Sequence, residues 1–145
     1  MPTLKLEIVT PEGRMFPATG ADGQLEPNDV EMVTLPGVEG EMGILPMHVP
    51  LMTQLTAGEI IVRRGGQDFF LAVGDGFVEV TGERVSILTV MAIKAENIDE
   101  AKAEEARKRA ESRLAEKLGD EETAMVSAAL AHSLAQLKVK RRQRK

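Results

Sequence analysis

All seven prolines and 12 of the 13 glycines of this 145-residue chain lie before residue 95. In a helix interior a glycine costs about 1 kcal/mol and a proline about 3 kcal/mol relative to alanine. The first 94 residues therefore cannot be mainly helical. Beyond them the chain turns to Ala, Glu, Lys and Arg, with Gly119 as its one glycine, and that is helix chemistry. The break predicts a strand-and-turn unit over residues 1–94 and a helical unit over residues 95–145.

Within the first unit Leu4, Leu6 and Ile8 alternate with Lys5 and Glu7, so one face of that strand is buried and the other wet. Val30, Met32 and Thr34 alternate less cleanly with Glu31, Val33 and Leu35. Residues 60–64 and 69–73 flank Gly65-Gly66, and a tight hairpin turn needs the positive φ that glycine supplies. Residues 77–80 and 85–90 flank Thr81-Gly82-Glu83-Arg84 and read as a second hairpin. Short strands recurring between turns imply an antiparallel two-sheet β-sandwich or a flattened barrel. Residues 17–28 have no period and two prolines, so they read as a surface loop.

The second unit reads as two helices. Asn97 or Asp99 caps the first, over residues 98–118, where Ala103, Ala106, Ala110, Leu114 and Leu118 make one stripe. Glu104–Lys108 and Glu105–Arg109 are i, i+4 pairs with the acid first, the better orientation. Gly119 as C′ and Asp120 as N-cap predict a very short connection, hence an antiparallel hairpin. In the second helix, residues 121–142, Val126, Leu130, Leu134 and Leu137 form a stripe beside Ala124, Ala128, Ala131 and Ala135. Alanine faces bury little area, and at about 25 cal/mol per Å² they gain little by meeting. High propensity keeps each helix intact alone. The expectation is an arm that can part from its partner helix and stay helical.

The net charge of −5 hides a segregation. Residues 1–94 hold 6 Lys/Arg against 13 Asp/Glu, while Lys138, Lys140, Arg141, Arg142, Arg144 and Lys145 crowd the last eight positions. Such a tip is either a frayed, solvated terminus or a docking point for carboxylates or phosphates. An acidic body without aromatics interleaved among the cations argues against nucleic acid.

Catalytic classes find no support. Without cysteine there is no disulfide, thiolate metal site or cysteine nucleophile. His48 and His132 lack partner motifs, and no phosphate loop, nucleophile elbow or zinc-protease pair occurs. His132, beside the alanine stripe, reads as structural or exposed; His48, between Pro46 and Pro50, reads as a loop hydrogen-bonder or a partner contact. No apolar run approaches the roughly 20 residues of a membrane span. The first residues lack the basic and apolar regions of a signal peptide, so the chain is expected to act where it is made.

Residues 33–53 are the most specific stretch. They contain Leu35-Pro36-Gly37, Glu39-Gly40-Glu41, Gly43-Ile44-Leu45-Pro46, His48, Pro50 and Leu51. Gly58-Glu59-Ile60, the Phe-x-x-Val and Gly-Phe-Val-Glu-Val block at 70–80, Val85-Ser86-Ile87-Leu88, and Asn97-Ile98-Asp99-Glu100-Ala101-Lys102-Ala103 follow in order. Together they closely resemble the epsilon-subunit family of F-type ATP synthases over almost the whole chain. The 17–28 loop is longer than the family usually has.

The resemblance implies a non-catalytic subunit of the rotor, in the central stalk. The sandwich of residues 1–94 would bind the gamma subunit and the c-ring. The hairpin of residues 95–145 would be a regulatory arm that rises into the alpha/beta head and blocks ATP hydrolysis. Residue by residue, Glu39, Glu41 and His48 match the loop facing the c-ring. Lys138, Lys140, Arg141, Arg142 and Arg144 match the cationic helix that meets an acidic segment of the beta subunit. Some family members hold ATP on the hairpin through Ile/Leu-Asp-x-x-Arg-Ala. Here Ile98, Asp99 and Ala103 match, but Lys102 stands in place of the arginine and lacks its planar bidentate geometry. Regulatory ATP would fall to Asp99, Lys102, Arg107 and Arg109; no other cofactor and no metal is implied. The implied location is the cytoplasmic side of a bacterial plasma membrane, peripheral and reached only through the complex. The alternative is a free ATP-sensing regulator using the hairpin.

Overall fold

The structure, a computed structural model, describes residues 2–143, the side chain of Gln143 excepted. Eleven strands come first: β1 Leu4–Thr10, β2 Gly13–Phe16, β3 Asp29–Val30, β4 Met32–Gly37, β5 Gly40–Ile44, β6 Leu51–Leu55, β7 Gly58–Arg64, β8 Gln67–Val73, β9 Gly76–Val80, β10 Arg84–Thr89 and β11 Ala92–Lys94. A 3₁₀ turn at Ala95–Asn97 leads to α1 Glu100–Leu114 and α2 Asp120–Gln143.

The strands follow one hydrogen-bonded path, β11-β8-β7-β4-β6-β9-β10-β1-β2, with β3 on β1 and β5 on β4. The β4–β6 link is a single pair, Gly37 opposite Leu55. There the sheet folds over into two layers, and the side chains between them form the core. Leu4, Leu6, Ile8, Leu35, Ile60 and Ile87 are almost wholly buried in it, so the period-two reading of β1 holds. The other pairings among the described residues are antiparallel, but β1 runs parallel to β10. That departs from a purely antiparallel sandwich. Parallel neighbours need a long crossover, and the whole of β2 to β9 lies between these two in the chain.

Residues 30–35 alternate uncleanly for a visible reason. Val30 pairs with Leu4 of β1, whereas Met32, Val33 and Thr34 pair with β7. The chain changes partner at Glu31 and with it the buried phase, so Val30, Val33 and Leu35 are all inside. Both read hairpins form. Arg64 faces Gln67 across Gly65 and Gly66, at φ of 61° and 75°, the mirror-image turn that suits strand twist. The 17–28 segment is a loop, pinned by a Thr19–Leu25 bridge and by Arg64 Nη1 donating to the Pro27 carbonyl at 2.8 Å.

Asp99 caps α1 by accepting from the Lys102 amide at 3.1 Å. The helix ends at Leu114, four residues short of the expectation, so five residues rather than a very short turn connect it to α2. Glu116 and Lys117 are exposed there and offer no apolar side to continue the packing. The hairpin is antiparallel: Arg141 meets Glu100 and Glu104 at one end, and Arg113 meets Glu122 at the other. Glu105–Arg109 forms as read, but Glu104 turns to Arg107 and Arg141 instead of Lys108. Ala103 and Ala110 are buried, whereas Leu134 is half exposed. Leu134 projects between the two surfaces that α2 uses, because this helix packs on the sheet as well as on α1.

Candidate interaction surfaces

The first surface is where α2 lies on the outer face of β7 and β8. Strand period two turns Ile60 and Leu71 inward, and Glu59, Ala72 and Phe70 outward. Ala72, Ala95, Ile98, Ala135 and Val139 form a second apolar cluster there, flanked by Phe70 and Ile93. Three cations of the basic tip, Lys140, Arg141 and Arg142, make contacts within the chain although Arg141 and Arg142 stay exposed. Val139 is fully buried among them. Lys140 Nζ donates to the Ala95 carbonyl at 3.1 Å, and Arg141 Nη2 to Glu104 at 3.0 Å. Arg142 Nε lies 2.9 Å from Glu59 Oε2, and its guanidinium sits 5.6 Å from the Phe70 ring centre. Lys138 is exposed, and Arg144 lies outside the described residues. His132 presses against Gly74, with its Nε2 buried and lacking a hydrogen-bond partner among the described residues. It is therefore an interface residue rather than an exposed one.

Sequence reasoning missed Glu59 and Val139. A signal existed for Val139, which continues the Ala135 row by one turn. Glu59 sits in the matched Gly58-Glu59-Ile60 segment, but its strand phase is the outward one of an ordinary wet-face acid.

The second surface is the outer face of the other layer. Gln54, Phe77, Leu88 and Val9 stand in one row across β6, β9, β10 and β1. Phe77 and Leu88 are more than half exposed, as are Val38 and Val90 beside them. Shallow depressions run from Val38 past Phe77 to Pro11. The signal was apolar residues at the polar phase of their strands: Val78 and Val80 point inward, so Phe77 points out.

The Glu39-Gly40-Glu41 turn joins β4 to β5, with Gly37 opposite Gly40 and both acids exposed. His48 is not beside them. It follows the far end of β5, and Glu41 to Ile44 alone spans about 10 Å at roughly 3.3 Å per residue. There His48 Nδ1 donates to the Val49 carbonyl at 2.7 Å, next to Met47, whose amide donates to Gly82.

The four hairpin residues matched to ATP are likewise not gathered. Asp99 is engaged as the cap. Arg107 is held by Glu104 and by Glu111, the latter at 2.8 Å. Hydrogen bonding to Arg107 is the main cause that lowers the Glu104 pKa, and bonding to Glu104 and then Glu111 raises that of Arg107. Arg109 pairs with Glu105, and two residues of helix, about 200°, turn it away from Arg107. No group of acids and histidines among the described residues is placed to hold a metal.

Both halves of this architecture match known families. The beta-sandwich domain of the ATP synthase delta/epsilon chain matches residues 3–95, and the long alpha-helix domain of the same chain matches residues 96–141. The ATP synthase epsilon chain of Dehalococcoides mccartyi is 42% identical over 146 residues, covering 100% of this chain and 97% of that one. This chain belongs to the ATP synthase epsilon family. The epsilon chain of Pelotomaculum thermopropionicum is 44% identical over 115 residues, 79% of this chain and 78% of its own. That of Halorhodospira halophila is 37% identical over 140 residues, 95% and 92% of the two chains. A solved structure of Euglena gracilis mitochondrial ATP synthase, with OSCP, F1 and c-ring in rotational state 1, contains a chain of the same fold. Its TM-score is 0.75 at 24% identity, covering 95% of this chain and 81% of that one. As an epsilon chain, the protein is a non-catalytic subunit of ATP synthase. No helix among its described residues is long and apolar enough to cross a membrane.

Proposed function

We propose that this epsilon chain couples c-ring rotation to the catalytic head and restrains ATP hydrolysis with its helical arm. The observation that carries the reading is the contrast between the two outer faces. The β7–β8 face is covered by α2, through alanines and ion pairs. The opposite face leaves Phe77, Leu88, Val38 and Val90 open to solvent. Neighbouring apolar side chains left exposed in this way mark a docking face. In this reading residues 1–94 are the anchoring unit and that row seats the gamma subunit. The Glu39–Glu41 turn faces the polar rim of a c-ring, while His48 stands at the other end of the sandwich. Residues 95–145 are the brake, which reaches the alpha and beta subunits when raised. The chain then sits peripherally on the cytoplasmic side of a bacterial plasma membrane, held there by the complex.

The test is a reconstituted complex carrying residues 1–94 alone. The core of the sandwich draws no residue from the arm, so the truncated chain should fold and assemble, and ATP hydrolysis should rise. Assembly with hydrolysis unchanged rules out the brake. Phe77→Glu in the full chain should abolish assembly while leaving the isolated subunit folded; normal assembly would move the gamma contact elsewhere.

A further inference from the structure

We propose that Glu59 is the receptor for the tip of the arm: closure places Arg142 over Glu59, and opening must rehydrate that carboxylate. The proposal rests on the reading of a movable arm and gives it a latch.

Glu59 is an acid in an apolar place. Its cross-strand neighbour is Ala72, and Phe70 stands diagonally beside it on the same face. Only 3% of its side chain is exposed once α2 lies over it, whereas 47% of the Arg142 side chain remains in water. The pair is lopsided: the acid is buried and the base is half wet. The Arg142 Nε–H is not aimed at Oε2, so the 2.9 Å contact is an ion pair and not an aligned hydrogen bond. A buried carboxylate stripped of its cation is costly. The arm cannot simply slide off one turn and leave Glu59 covered. Closure requires Arg142 at that position, and opening must hydrate Glu59.

Two more of the described tip cations are engaged. Arg141 spans Glu100 and Glu104, and Lys140 holds the Ala95 carbonyl. Val139 fixes the register, since it fills the apolar cluster three residues before Arg142. A raised arm therefore carries cations that have just left three carboxylates.

The chain lacks cysteine, so labels can be placed at will. Glu79→Cys and Ser127→Cys, both at exposed positions, would carry spin labels in the full-length chain. The distance distribution reports the closed and open populations. Glu59→Gln and Arg142→Gln should each raise the open population about tenfold, the equivalent of one charge-assisted contact. Combined, they should do no more than either alone. Changing Lys140, Arg141 and Arg142 all to Gln should open the arm further than Arg142→Gln does. If Glu59→Gln perturbs the sandwich, Arg142→Gln leaves it untouched and decides alone. An unchanged open population in Arg142→Gln overturns the proposal, and so do fully additive single effects. If even the triple Gln variant stays closed, what fails is the movable arm and not merely its latch.

Discussion

The two apolar clusters of this chain differ in kind. Between the layers of the sandwich, Leu, Ile and Val from nine strands interdigitate, and most have no exposed surface at all. Under α2 the cluster is mostly alanine, with Ile98 and Val139 as its largest fully enclosed members, and its rim is ionic. Burial energy scales with apolar area, so the first cluster holds a fold together while the second holds only a position. A unit that must stay rigid while its neighbour moves needs that difference.

The largest expected effect lies in the first cluster. Ile87→Ala should destabilise the chain by about 2–5 kcal/mol, the usual cost of such a core truncation. Both the sheet and the docked arm should melt earlier, as read by denaturant titration. Val139→Ala should cost the sandwich almost nothing and show up as release of the arm in the spin-label distances. Equal losses of sandwich stability in the two variants would erase the distinction between the clusters.

A sharper version uses two glycines of one turn. A Cβ at Gly76 would lie 1.9 Å from the Leu88 carbonyl oxygen, which is backbone of the paired strand and cannot yield. Gly76→Ala should therefore disrupt the β9–β10 hairpin and the sandwich with it. A Cβ at Gly74 would meet Val90 Cγ2 at 2.7 Å and His132 Nε2 at 2.8 Å, both of them side-chain atoms, the second belonging to the arm. Gly74→Ala should lift α2 at the middle and leave the sheet folded. Amide hydrogen exchange of the two units in each variant would separate these outcomes; a sandwich that unfolds equally in both would refute the idea that the arm yields first.

The same contrast explains what could be read from residues alone. The sandwich is written in local patterns, period-two alternation and glycine turns, and both hairpins and the β1 core face follow from them. The parallel β1–β10 pairing does not, because it joins strands about eighty residues apart in the chain and leaves no local mark. The helices were legible from composition, and Asp99 from its capping chemistry. The early end of α1 was not, since its last residues lose their packing partner only in three dimensions. The loop at Glu39–Glu41 was singled out by resemblance alone, and the basic tip by its charge and by resemblance. The geometry of the sites was not legible: β5 separates His48 from Glu41, and carboxylates of its own helix occupy Arg107. The Glu59 receptor depends on which element covers a strand face, and that is a property of the fold.

The smallest effect compares one exposed ion pair in each region. Asp29 ties β3 to β1 through Lys5 Nζ at 2.6 Å, and Glu104, held by Arg107 of its own helix, ties α1 to α2 through Arg141. Hydrogen bonding to Lys5 lowers the pKa of Asp29, and bonding to Arg107 lowers that of Glu104. A carboxyl lowered in the folded state favours folding above its ordinary pKa and loses that contribution as the pH falls through its lowered value. The window is thus below about pH 4.5 for Glu104 and below about 3.8 for Asp29, the two ordinary values. Solvent screens both pairs, so the shifts in melting temperature should be small. On acidification from pH 6 the arm should loosen before the sandwich softens, and Glu104→Gln should remove that early step while Asp29→Asn leaves it in place. A wild-type arm that stays docked to pH 3, in the spin-label distances, would show that the hairpin does not depend on these charges and that its alanine contacts are stronger than their area implies.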